Sequence, residues 1–195
     1  MKWIENYNLI LASGSPRRKE LLEKSGFSII VRKIEIEEDY PENINMDSVA
    51  EFLAEKKLVH SIRNMDLKPN DIVITADTIV IKDEELLGKP KSKENAKAIL
   101  KSLSNSSHKV ITGVCFGNEG FKTCFSSVSI VYFDKIDQKE IEYYVNNFEV
   151  LDKAGAYGIQ DWIGICKIKS IKGSYPNIMG FPTHLFCKKL KEFMI

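Results

Sequence analysis

The segment 9-LILASGSPRRKELL-22 constrains this chain most. Leu9 to Ala12 is a short apolar run of the kind that forms a buried strand. Ser13, Gly14 and Ser15 turn the chain, and Pro16 opens a helix expected to reach about Ser25. Ser at the N-cap before Pro is a strong start signal, because Pro has no N–H to lose in the first turn. That turn carries Arg17, Arg18 and Lys19, although the positive end of a helix ordinarily attracts Asp or Glu. Each cation so placed costs about 0.3–1 kcal/mol unless an anion sits among them. Backbone N–H groups, two serine hydroxyls and two arginines at one strand-to-helix turn suit a phosphate group. A solvated basic turn relieved by Glu20 and Glu23 is the bland reading of the same residues.

The chain's 195 residues are enough for one substantial core, or one domain with two lobes. A net charge of +1 makes the arginine pair a local feature and leaves no basic face for nucleic acid. Glu5, Asn6 and Asn8 interrupt the first residues, so no signal peptide is expected, and no apolar run is long enough to span a bilayer. Cys115, Cys124, Cys166 and Cys187 lack C-x-x-C spacing, and His60, His108 and His184 do not cluster with them. They are expected to be buried thiols in a reducing cytosol, neither a zinc site nor a disulfide set.

Further along, Phe27–Val31 reads as a second strand, followed by the acidic residues Glu35, Glu37, Glu38 and Asp39. Such a run is a solvated loop or, directly after a strand, a place for a divalent cation. Residues 45–62 read as a helix with Val49, Phe52, Leu53 and Val59 on its apolar face. Lys56 falls in the middle of that face and Lys57 on its flank, beside Ala50 and Ala54. Either lysine can snorkel to solvent or reach into a cleft. The run 72-IVITADTIVI-81 is a central strand in which Asp77 is expensive to bury without a metal, a cation or hydrogen bonds. A hairpin through residues 82–87 leads to a loop presenting Lys89, and Ser92 caps the next helix. Strands are expected near 109–116 and 123–133, and an Asp137/Glu140 capping box before another helix. The small residues of 153-KAGAYGIQ-160 allow close approach to a ligand, a strand follows near 162–171, and 173–182 reads as a turn. A final helix buries Phe186, Leu190 and Phe193. The mixture argues α/β or α+β, one domain over 1–195, with a cleft between two lobes.

Eight motifs stand in order along nearly the whole chain: S-G-S-P-R-R, the acidic pair after the second strand, L-A-x-x-K, A-D-T, G-K-P, S-H-x-V-x-T-G, K-A-G-A-Y-G-I-Q and G-S-Y-x-N-x-x-G-x-P. On these the chain closely resembles the Maf family of nucleoside triphosphate pyrophosphatases, once called septum formation proteins. The resemblance implies cleavage of a nucleotide's α–β phosphoanhydride to a monophosphate and pyrophosphate, with Mg²⁺ or Mn²⁺ as cofactor. It implies an elongated mixed α/β sheet with flanking helices and two lobes around a deep cleft, related to inosine triphosphate pyrophosphatases. Residue by residue, Ser13, Ser15, Arg17 and Arg18 correspond to the triphosphate site, Asp77 to the general base and Lys89 to the cation of the G-K-P loop. Glu38 matches the acidic position, with Glu37 beside it leaving the register open by one, and L-A-x-x-K selects Lys57 over Lys56. Leu58 departs from the family's usual Ala. One branch of the family is associated with dTTP and UTP and another with 7-methyl-GTP. Arg17, Thr78 and Gln160 place this chain with the dTTP/UTP branch at all three diagnostic positions.

The residues support that chemistry independently. Glu38 and Asp77 can share a hard divalent ion, and Asp77 can take the proton of the attacking water. Arg17, Arg18, Lys57 and Lys89 supply positive charge for the phosphates, and Gln160 carries both a donor and an acceptor for a pyrimidine edge. The expected partner is a small-molecule nucleotide in the cytoplasm, without nucleic acid or membrane, and a homodimer stays open. A non-catalytic nucleotide-binding regulator of septum formation is the rival reading. The carboxylate of Asp77 speaks against it, because binding alone has little need of an anion beside an anionic ligand.

Overall fold

Residues 4–194 of the chain are described in a computed structural model. In chain order they form β1 (Asn8–Leu11), α1 (Pro16–Lys24), β2 (Ile29–Val31), α2 (Met46–Asn64), β3 (Asp71–Lys82), β4 (Glu85–Leu87), α3 (Lys93–Leu103), β5 (Ser107–Gly117) and β6 (Lys122–Phe133). Then come α4 (Gln138–Asn147), a 3-10 turn (Ala154–Ala156), α5 (Trp162–Lys167), β7 (Ile168–Lys172), α6 (Tyr175–Met179) and α7 (Thr183–Met194). The seven strands make one sheet of order β2-β1-β3-β5-β6-β7, with β4 also paired to β3. The sheet is mixed: β1 runs parallel to β2 and β3, whereas β4 is antiparallel to β3 and β7 to β6. The fold is therefore α/β, with helices flanking a mixed sheet.

The chain divides into two compact units. One takes in the residues up to Asp77, Thr112–Ser127 and the residues from Gly180 onward; the other holds Thr78–Ile111 and Val128–Met179. In the first unit, Ala12, Ala54, Leu58, Val73 and Cys115 form a buried cluster. Helix α2 buries Val49, Ala50, Leu53, Ala54, Leu58 and Ser61. Val49 and Leu53 are buried as expected, but the docking face is rotated toward Ala50, Ala54 and Leu58, so that Phe52, Lys56 and Val59 line a surface groove of about 530 Å³ with Ile36 and His60. The reason is steric. A Cβ on Gly113 of β5 would lie 2.3 Å from the backbone of Ala50, so small residues let helix and strand backbones touch and thereby choose the inward face. Thr75 on β3 ties the contact by donating its hydroxyl to the Ala54 carbonyl at 2.7 Å. Helix α7 buries Phe186 and Leu190, while Phe193 stays half-buried and stacks on Phe121.

In the second unit, Val80, Val110 and Val131 form a buried cluster against which Leu87, Ala154, Ile168 and Ile178 pack. The capping box of Asp137 and Glu140 opens α4, and Ser92 caps α3 by accepting from the Asn95 N–H. Two expectations need correction here. The stretch read as a strand near 162–171 begins as helix α5 and becomes strand only at Ile168. Gly164 permits this, since any Cβ there would fall 2.1 Å from the Ile159 carbonyl oxygen. The stretch 173–182, read as a turn, contains helix α6, anchored by the fully buried Asn177 donating to the Val110 carbonyl and the Ser129 hydroxyl.

The cysteines also depart from expectation. Cys115 and Cys124 form a disulfide across the β5–β6 hairpin, with their Cα atoms 4.2 Å apart, and Cys166 is exposed. The turn Asn118–Phe121 folds the two strands back so that residues nine apart in sequence become neighbours, which thiol spacing alone does not reveal.

Candidate active site

The turn after β1 is built by its own side chains. Ser13 is buried, and its hydroxyl oxygen accepts from the Ser15 N–H at 3.2 Å and from Arg18 Nη1 at 3.1 Å. Arg18 also donates from Nε to the Gly180 carbonyl at 3.0 Å, so one guanidinium joins the turn to the start of the C-terminal segment. Ser15 is the N-cap of α1 with no side-chain cap bond, and no acidic residue occupies the first helical turn. Burial holds the Arg18 pKa below its ordinary value, opposed by the negative charge of Asp77 and reinforced by Arg17. An arginine remains cationic under such pressure, so positive charge stays concentrated at a helix N-terminus.

The second group is centred on Lys57. Its ammonium donates to Asp77 Oδ1 at 2.5 Å and to Glu38 Oε1 at 2.7 Å. Asp77, on β3, and Lys57, on α2, are both largely buried, whereas Glu38 stands half-exposed on the loop after β2. The buried Asp77 is therefore neutralised by a cation, as its place in an apolar strand requires. Glu37 enters only through its backbone carbonyl, which accepts from Lys56 at 2.9 Å. Lys56 also pairs with Asp39, so the two adjacent lysines fasten neighbouring parts of the same acidic loop.

Thr78, Lys89 and Gln160 belong to the second unit. Thr78 follows Asp77 on β3 and is half-buried, and Lys89 is exposed on the loop after β4. Gly155, at φ 71°, donates its N–H to the Gly88 carbonyl, joining the Lys89 loop to the segment that carries Gln160. The amide oxygen of Gln160 is buried and makes no hydrogen bond. Two residues of this region carry no site assignment from the sequence, Tyr144 and Asp161, and Lys153 enters it only as the first residue of K-A-G-A-Y-G-I-Q. Tyr144 had only the signature of a core position, and only the Asp directly after Gln160 offered a signal.

Among the described residues no group of three or more His, Cys, Asp or Glu side chains converges as a metal site. The pair that converges, Glu38 and Asp77 on one ammonium, nonetheless fits a divalent hard cation, because Mg²⁺ is commonly held by one or two carboxylates with substrate phosphates and water completing its shell.

A cationic helix N-terminus with a buried serine and a half-buried arginine, and a lysine-bridged carboxylate pair, give this α/β protein the groups that an anionic phosphate ester calls for. The comparisons narrow this further. Residues 8–193 match the family described as "Maf-like protein", and the chain belongs to that family. It is 42% identical over 190 residues to a dTTP/UTP pyrophosphatase of Bacteroides thetaiotaomicron, covering 97% of each chain. It is 43% identical over 182 residues to one of Flavobacterium psychrophilum, covering 93% of this chain and 92% of that one. The solved structure of the Staphylococcus aureus Ham1 protein aligns with 65% of this chain and 71% of its own at TM-score 0.42 and 13% identity, a likeness too slight to argue from.

Proposed function

We propose that the protein is a nucleoside triphosphate pyrophosphatase that converts dTTP and UTP to the monophosphate and pyrophosphate. The reading rests on relatives of that name, about two-fifths identical over nearly their whole length. The observation that carries the mechanism is Lys57 held between Asp77 and Glu38.

In this reading Ser13, Ser15, Arg17 and Arg18 bind the triphosphate through hydroxyls, guanidinium groups and the N–H groups opening α1. Asp77 takes a proton from water, whose oxygen forms a bond to the α-phosphorus as the bond from that phosphorus to the bridging oxygen breaks. The electron pair leaves with pyrophosphate, on which Arg17, Arg18, Lys57 and Lys89 stabilise the growing charge. Lys57 occupies one oxygen of Asp77 and holds the carboxylate, and the other oxygen is the one assigned to receive the proton. Glu38 and Asp77 would hold Mg²⁺ or Mn²⁺, which when bound neutralises phosphate oxygens. Thr78 and Gln160, with Arg17, select the pyrimidine.

We assign the reaction to the cytoplasm, where such nucleotides reside, and to the whole of 1–195 as one functional domain; the family match runs through both units. Among the described residues no helix is long and apolar enough to cross a membrane.

The test is pyrophosphate release from UTP, dTTP, 7-methyl-GTP, ATP and GTP, with and without Mg²⁺, followed by chromatography of the products. UTP and dTTP should be cleaved fastest, to UMP or dTMP and pyrophosphate. UDP with orthophosphate would sink the proposal.

A further inference from the structure

Gln160 has a buried amide oxygen without a donor, an unsatisfied acceptor that a ligand donor would satisfy. Uracil and thymine present an N3–H donor on the pyrimidine edge, whereas N3 of cytosine is an acceptor. An oxygen held in one direction therefore separates UTP from CTP, and an oxygen free to swing does not.

The structure holds the backbone under Gln160 from behind. Gln160 is the third residue of a tight turn, Gly158 to Asp161, closed by the Asp161 N–H donating to the Gly158 carbonyl at 3.1 Å. Tyr144, fully buried on α4, reaches both ends of that turn with one hydroxyl. Its oxygen accepts from the Gly158 N–H at 3.0 Å, and its proton is donated to Asp161 Oδ2 at 2.8 Å. Burial pushes the Tyr144 phenol well above its ordinary pKa, opposed by the Gly158 N–H and reinforced by the hydrogen bond to Asp161 and its charge, so the donor proton stays in place. The carboxylate of Asp161 lies so close to Gly158 that a Cβ there would fall 2.4 Å from Oδ2. Lys153, almost fully buried, pairs with Asp152 at 2.7 Å and stands 4.0 Å from the same Asp161 oxygen, adding positive charge beside it.

We propose that Tyr144 and Asp161 are positioning residues for nucleobase selection. They clamp the 158–161 turn so that the Gln160 amide oxygen is presented to an imide N–H. The inference rests on the base-reading role given to Gln160 above, and it adds residues that touch the substrate nowhere.

The experiment compares kcat/KM for UTP and CTP in the full chain and in Gln160→Leu, Tyr144→Phe and Asp161→Ala, with melting temperature and inhibition by inorganic tripolyphosphate measured on each. The UTP:CTP ratio is independent of how much protein is folded, so a merely structural role leaves it unmoved. Tyr144→Phe keeps the ring and deletes both hydrogen bonds. It should lower the ratio at least tenfold, chiefly through KM for UTP, and leave the inhibition constant of tripolyphosphate, which has no base, within about twofold. Should Tyr144→Phe fail to fold, Asp161→Ala decides, with an expected fall of at least threefold. A ratio lost in Gln160→Leu but kept in the clamp variants overturns the clamp while leaving the role of Gln160 intact. No UTP preference in the unaltered protein, or one untouched by Gln160→Leu, overturns the base-reading role and the clamp with it.

Discussion

At the scale of single residues, the proposed chemistry turns on Asp77. An aspartate in an apolar strand needs a countercharge, and Lys57 provides it. The same contact changes what substitution should cost. Removing one member of a buried pair is damaging when it orphans the other, by about 3–5 kcal/mol. Lys57 keeps Glu38 as a second partner, so Asp77→Asn should destabilise the protein by less than about 2 kcal/mol. Turnover should suffer far more, with kcat falling roughly 10²-fold or more if the carboxylate receives the proton from water. Steady-state kinetics and a urea melt on one preparation separate the two effects. Near-normal kcat in the folded variant would retire Asp77 as the base.

Among the elements, α1 makes scaffold contacts at the same helix start that the proposal assigns to the triphosphate. Arg18 is committed to Ser13 and Gly180, so its removal should loosen the turn as well as weaken ligand binding. Arg17 is the cleaner probe of the charge at this N-terminus. Losing a cation from the positive end of a helix is neutral or favourable for the folded protein, by about 0.3–1 kcal/mol. Arg17→Ala should stay folded and lose most of the thermal shift produced by UTP. Thermal melts with and without nucleotide check this, and an undiminished UTP shift would return Arg17 to a solvated role.

For the whole molecule, the acid limit of stability should be set largely by one buried imidazole. His108 donates or accepts through Nε2 at 2.8 Å from the Tyr157 hydroxyl, packs on Phe133 and Tyr157, and leaves Nδ1 without a partner. Burial, with a smaller push from Lys82, lowers its pKa from 6.5 to about 4. The unfolded chain therefore takes up a proton at higher pH than the folded one. Full stability is present above pH 6.5 and declines as the pH falls toward about 4, by about 3 kcal/mol in all. Urea melts at a series of pH values should trace that decline, and His108→Asn should flatten it. Asp71 acts in a lower window: burial raises its pKa, but hydrogen bonds from Lys68 and Asn8 outweigh this and hold it below 3.8, so its contribution is lost only in stronger acid.

Local chemistry was legible in the sequence wherever a physical rule acts over a few residues. Ser-Gly-Ser-Pro dictated the strand-to-helix turn, Ser92 and Asp137 their caps, and a β-branched run the long central strand β3. The ordered motifs carried the family, because they keep the chemistry-bearing residues at fixed places along the chain. Tertiary structure alone decided the rest, since those outcomes depend on backbone approach between segments distant in sequence. It turned α2 onto its small-residue face through Gly113, which helical periodicity weighs less than the bulk of Phe52. It chose Glu38 over Glu37 for the contact with Lys57, a choice that two identical neighbouring side chains cannot encode. It joined Cys115 to Cys124 through a hairpin, and it set Tyr144 behind Gln160, because a hydroxyl's partners are fixed by where helix and turn meet and not by their separation along the chain.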